Sequence, residues 1–157
     1  MSKLLDAVTE GQRELEGYEN FTPGGLAINA AAAPTFKSAV AYNYTIDGVF
    51  KTKAALAAQA FTAGHATQNI GTTQYYVIGL DALGNVNTYQ GALETTYSGA
   101  SFVTVPTLPD VPNGVCPIGI IKVLAGTVAF VPGTTPLDTV GLTVTYFDIN
   151  LIPSILP

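Results

Sequence analysis

Beyond residue 38 the chain alternates apolar and polar positions with a period of two, the pattern of strands that bury one face. In "AVAYNYTIDGVFKTK" Tyr42, Tyr44 and Ile46 alternate with polar neighbours up to Asp47-Gly48. Asp-Gly between two such runs predicts a hairpin, because both central positions of a type I′ turn need positive φ. "QYYVIGLDALGNVNTYQ" predicts a second hairpin turning at Asp81 to Gly84, and "PIGIIKVLAGTVAFVPG" a third turning near Ala125-Gly126. "GLTVTYFDIN" predicts the last strand, with Leu142, Val144 and Tyr146 on one side and Thr143, Thr145 and Phe147 on the other. Six to eight strands joined without long helices predict an all-β fold, an antiparallel sandwich or a small barrel.

The first twenty residues follow a different period. Leu4, Leu5, Val8 and Leu15 fall close to one face at helical spacing, with Ser2 as N-cap and Gly17 as a stop, so a short amphipathic helix is predicted. "FTPGGLAINAAAAPTFKSA" shows neither period and reads as an extended connector. The expected organisation is an N-terminal arm over 1–37 and a β body over 38–157. Ala54 to Ala63 fits helix and strand equally well, within an uncharged stretch from Ala54 to Leu80 expected to supply core and subunit interface. Pro106, Pro109, Pro112 and Pro117 predict a stiff connection that does not pair as a central strand. The tail "LIPSILP" carries Leu151, Ile152, Ile155 and Leu156, too apolar to stand in water, and is expected to be buried in this chain or a neighbour.

Composition narrows the function. A chain of 157 residues with 48% hydrophobic residues suits one core. Only 11% of residues are charged, against roughly 25% in an average soluble domain. The surface is therefore built largely from Thr, Asn, Gln, Ser, Gly and Ala. A net charge of −5 with six scattered basic residues excludes the basic patch that nucleic-acid binding requires. No run approaches 18 consecutive apolar residues, and the N-terminus lacks a continuous apolar signal core, so neither membrane nor export is expected. Cys116, the single cysteine, excludes an intrachain disulfide and reads as a buried structural thiol.

Candidate chemistry is sparse. His65 is the only histidine, and with Cys116 it has none of the spacing of a metal site. A nucleophilic triad would need His65 near Ser98 or Ser101, but there is no GxSxG elbow. Asp47 and Asp81 sit where turns favour aspartate, and no glycine-rich phosphate loop occurs. No catalytic residue, metal or cofactor is expected. Eight tyrosines and seven phenylalanines leave a second reading open, in which Tyr42, Tyr44, Tyr75 and Tyr76 stack on sugar rings.

The order "AYNYTIDGVFKTK", "TTQYYVIGLDALGNVNTYQG", "LPDVPNGVCPIGIIKV" and "FVPGTTPLDTVGLTVTYFDI" resembles a group of virion structural proteins of tailed bacteriophages, the head decoration, cement or head-fibre proteins. The resemblance covers residues 40 to 148. Its marks are Tyr-x-Ile-Asp-Gly-Val at the first hairpin, Pro-x-Gly-x-x-x-Ile-Gly-x-Ile-Lys-Val at 112 to 123, and Phe-x-Pro-Gly-Thr-Thr-x-Leu-Asp at 130 to 138. It implies a non-enzymatic protein made in the bacterial host cytoplasm and bound to the capsid exterior, its partners the major capsid protein and copies of itself, as a homotrimer in preference to a dimer. Under that reading Leu4, Leu5, Val8, Leu15 and Phe21 of the arm contact the shell, and Tyr42, Tyr44, Tyr75, Ile152, Ile155 and Leu156 are subunit-interface candidates. The alternative is a head- or tail-fibre adhesion module that binds host surface polysaccharide.

Overall fold

A computed structural model describes residues 17–92 and 106–150. The expected helix, with Leu4, Leu5, Val8 and Leu15, lies outside the described residues, as do Ser98, Ser101 and the tail with Ile152, Ile155 and Leu156. The described chain is all-β. Its strands are β1 (Ala27–Ile28), β2 (Phe36–Lys37), β3 (Tyr42–Ile46), β4 (Val49–Lys53), β5 (Thr72–Asp81), β6 (Val86–Gln90), β7 (Val115–Ala125) and β8 (Leu142–Asp148). A four-stranded antiparallel sheet, in the order β6-β5-β7-β8, is faced by two-stranded ribbons β1-β2 and β3-β4.

Local turn chemistry sets both short hairpins. Asp47 and Gly48 adopt φ of 51° and 72°, so Ile46 pairs with Val49 across a type I′ turn. Between β5 and β6 the Gly84 N–H donates to the Asp81 carbonyl at 3.0 Å. The Asp81 carboxylate accepts from the N–H groups of Leu83 and Asn85 and from the Asn85 side chain, each at 2.8 Å.

The third expected hairpin does not form. Strand β7 ends at Ala125, residues 126–141 leave the sheet, and the chain returns as β8 to pair with β7. Phe130 drops into the core instead, fully buried, and its backbone bridges that of Gln68. Pro117 also departs from expectation, since it lies within β7 and pairs with Gly79. Two features admit it: the β5–β7 register shifts between Ile78 and Gly79, and the β8 ladder begins only at Gly119.

Residues 54–63 are neither helix nor regular strand. Ala58, at φ 47°, interrupts either geometry. The segment instead inserts Leu56 and Phe61 into the core while Gln59 bridges Phe36.

From Gly17 to Lys37, within the segment expected as an arm, the chain packs against the β body. The Thr45 N–H donates to the Glu19 carbonyl at 2.7 Å and the Phe21 N–H to the Asn43 carbonyl at 2.8 Å, which lays residues 19–21 along the free side of β3. Leu26 and Phe36 are core residues, 8% and 0% exposed. At the centre, the Phe61 ring meets Phe36, Tyr76 and Phe130 edge-on at 5.6, 5.2 and 5.6 Å. The uncharged stretch thus supplies core, through Leu56, Phe61, Tyr76, Ile78 and Leu80.

Candidate functional site

The residues with potential chemistry are held in structural roles. His65 Nε2 lies 2.8 Å from Thr88 Oγ1, which also accepts from the Thr62 N–H at 2.8 Å. The Thr88 hydroxyl proton is then free to go to His65, which suits a neutral imidazole. Burial lowers the His65 pKa in the same sense, against the opposing effect of the Thr88 hydrogen bond. Cys116 is fully buried, and burial pushes its thiol up to about 12, with a further rise from Glu19.

The aspartates act as fasteners. Asp47 accepts from the Tyr18 hydroxyl at 2.6 Å. Asp138 accepts from the Ala32 N–H, and Asp148 from the N–H groups of Gly25 and Leu26 at 3.0 and 3.3 Å. These last contacts tie the N-terminal segment to the far end of the chain. No local pattern announces them, since the partners are more than a hundred positions apart. Among the described residues no group of three or more His, Cys, Asp or Glu is placed to hold a metal ion. Among them, too, no helix is long and apolar enough to cross a membrane.

Of the expected interface tyrosines, Tyr42 and Tyr44 do not face outward. They are 0% and 1% exposed on the inner face of β3, because the alternation that marks the strand turns both rings into the chain's own core. Neither ring is available to another subunit or to a sugar, and Tyr76 is equally buried. Tyr75 is half-buried on the outer face of the four-stranded sheet, with Lys122 Nζ 6.0 Å from its ring centroid. Register places Tyr89, Val77, Ile120 and Phe147 in one row across that same face.

Phe21 is the one arm candidate among the described residues. Its ring, 40% exposed, stacks beside Phe50, 63% exposed, with centroids 6.5 Å apart and planes at 24°. Val49 at the hairpin tip is 58% exposed but turns to the opposite face of β4, the side of Lys51 and Lys53. This pairing follows from the backbone: Phe21 is anchored to Asn43 of β3, and Phe50 on β4 pairs with Thr45. Next to the tip, Gly17 approaches Gly48 so closely that its N–H-accepting carbonyl lies 3.3 Å from the Gly48 nitrogen and a Cβ on Gly17 would overlap it. Gly17 therefore lies beside the exposed tip of the β3–β4 hairpin.

The opposite side of that hairpin is cationic. Lys51 and Lys53 border an open cleft of about 270 Å³ against Leu83 and Gly84 of the β5–β6 turn, with Tyr44 at its floor. Strand β4 thus presents Phe50 to one side and lysines to the other. Sequence reasoning named Phe21 but missed Val49 and Phe50. The signal was present, since "GVFKTK" sets two apolar residues directly after a tight turn, where a hairpin tip has nothing to cover them.

No family model matches the chain, and comparison with curated proteins and with solved structures finds no match.

Proposed function

We propose that this protein is a non-enzymatic head decoration, or cement, protein of a tailed bacteriophage, which binds the shell of major capsid protein from outside and stabilises it. The observation that carries the reading is the exposed, stacked Phe21–Phe50 pair beside the β3–β4 turn that Gly17 approaches. Exposed aromatic clusters of this kind mark contact surfaces. Burying the exposed parts of these two rings contributes on the order of 2–3 kcal/mol before the costs of association. One such contact is weak. Repeated over a symmetric shell, it suffices for stable coating.

Low charge supports the same reading, because a chain with only 11% charged residues has few charges to strip of water when its surface is covered by protein. The core role of Tyr42 and Tyr44 leaves self-association on the shell to other surfaces. The alternative, an adhesion module for host polysaccharide, now rests on Tyr75 and Tyr89 of the outer sheet face.

The test uses capsids of the encoding phage assembled without the protein. Co-sedimentation is compared for the full chain, the chain lacking residues 2–16, and the Phe50→Asp variant. Saturable binding by the full chain, weakened at least tenfold in each variant, is expected. Undiminished binding by both variants would remove the site, and glycan-array binding without capsid binding would transfer the assignment to adhesion.

A further inference from the structure

Among the described residues, the strand edges of the body differ in what lies beside them. Strand β4 carries Lys51 and Lys53, and edge lysines hinder the addition of another strand. Strand β6 is flanked by residues 62–66, whose Thr62 and Ala66 N–H groups donate to Thr88 Oγ1 and Gln90 Oε1 at 2.8 Å each. Strand β8, with the sequence LTVTYFD, has no lysine, arginine or proline.

The β7–β8 ladder fixes which way the backbone groups of β8 point. The Gly126 N–H donates to the Gly141 carbonyl at 2.9 Å, and the Ile149 N–H to the Ile118 carbonyl at 3.1 Å. Both bonds belong to one antiparallel register, in which hydrogen-bonded pairs recur at every second residue. Thr143, Thr145 and Phe147 therefore turn their backbone groups toward β7. Leu142, Val144, Tyr146 and Asp148 turn theirs to the open edge. The Leu142 N–H is taken by the Thr139 carbonyl. Among the described residues, the backbone groups of Val144 and Tyr146 have no hydrogen-bond partner, and Phe147, 45% exposed, stands beside them on the outer face.

We infer that β8 is a self-association edge: it pairs antiparallel with β8 of a second copy about a two-fold axis at Thr145, joining two four-stranded sheets into one of eight strands. The inference is independent of the capsid reading. The register selects itself. Outward-pointing groups must meet outward-pointing groups, and the pairing that overlaps the whole strand sets Val144 against Tyr146 of the partner subunit and Leu142, through its carbonyl alone, against Asp148 of the partner subunit. Thr145 then faces its own copy, and Phe147 faces Thr143 of the partner subunit. The single charge of the strand, Asp148, has its carboxylate held by the Gly25 and Leu26 N–H groups and meets no second carboxylate across the axis, so no like-charge repulsion opposes the pairing. Such an interface is isologous and closes with one partner, giving a dimer at this edge in place of the trimer expected from sequence.

The axis supplies the test. Side chains directly opposite in a pair of this kind have Cβ atoms about 4.5–5.5 Å apart, so a like charge at position 145 confronts itself. Sedimentation velocity over a hundredfold concentration range is measured for the full chain, for Thr145→Lys, for Thr145→Glu, and for an equimolar mixture of the two variants. The expected result is a dimer for the full chain, at least a tenfold rise in Kd for each variant alone, and recovery of the dimer in the mixture as a heterodimer. Within one chain Thr145 pairs with Lys122, so Thr145→Glu gains an opposite charge there, and its thermal unfolding reports whether the fold is intact. A full chain that stays monomeric or forms trimers, variants that still dimerise, or a mixture that fails to recover would each overturn the inference.

Discussion

Replacing Phe36 by alanine tests whether residues 17–37 belong to the body. The side chain is fully buried, and its ring meets Phe61 edge-on at 5.6 Å. Its backbone exchanges hydrogen bonds with Gln59 at 2.9 and 2.8 Å, so the substitution leaves the local chain anchored and removes only the ring. A buried Phe→Ala change costs about 3–5 kcal/mol, the sum of lost transfer free energy and the cavity left behind. An exposed connector residue would cost within about 0.5 kcal/mol. The two expectations differ several-fold. For a domain of this size each kcal/mol moves Tm by roughly 2–4 °C, so a fall of about 6–20 °C is expected. Urea unfolding followed by circular dichroism measures it, with an unchanged denaturant slope as the sign that the change is in native stability. Adding Phe61→Leu completes a double-mutant cycle, in which the edge-on contact is expected to appear as a coupling of about 0.5–1.5 kcal/mol. A loss below about 1 kcal/mol for Phe36→Ala, with no coupling to Phe61, would refute the assignment of this segment to the core.

Gly24, buried in the same segment, faces the Tyr42 hydroxyl and ring edge, which an added Cβ would overlap; Gly24→Ala is expected to cost about 1–3 kcal/mol by overpacking, measured by thermal unfolding. His65 has a pKa lowered from 6.5 by burial, so its neutral form is favoured in the fold; the associated stability is complete above about pH 6.5 and declines as pH falls below it, and denaturant titrations should show that slope shrinking in His65→Gln. The Asp81 carboxyl, held below its usual 3.8 by hydrogen bonds to Asn85, Leu83 and Gly84 that outweigh its desolvation, contributes stability that is lost only in a lower window, as pH falls below about 3.8. Cys116, with its thiol pushed up to about 12, is expected to resist alkylation at pH 8 in the native protein and to react only on unfolding; rapid native labelling would contradict its burial.

The parts of the fold legible in the sequence are those fixed within a few residues. Asp47-Gly48 and Asp81 to Gly84 declare their turns because backbone conformation and side-chain acceptors act locally, and Leu142 to Phe147 declares its strand by alternation. Where a segment is held by distant partners the pattern fails. Residues 17–37 pair only in two-residue strands and isolated bridges, too short to establish a period, and Asp138 and Asp148 fasten them from the other end of the chain. The same limit misled the reading of Thr127 to Phe130, whose alternation fits a strand while its side chain Phe130 finds a better place against Phe61. Alternation also marks a strand without saying what covers its buried face. Tyr42 and Tyr44 were therefore expected at a subunit interface, although the chain's own sheet covers them. For the candidate site the sequence supplied Phe21 and the charged, apolar-faced arm. Its neighbour Phe50 required the fold, since only the pairing of residues 19–21 with β3 brings the rings together.

The proposed role as a capsid coat is tested most directly by counting copies per shell as the full chain is titrated onto capsids assembled without it. The account predicts saturation at a fixed stoichiometry set by the symmetry of the shell, together with a higher temperature of capsid disruption. Binding that never saturates, or a shell that neither retains the protein nor gains stability, would contradict it.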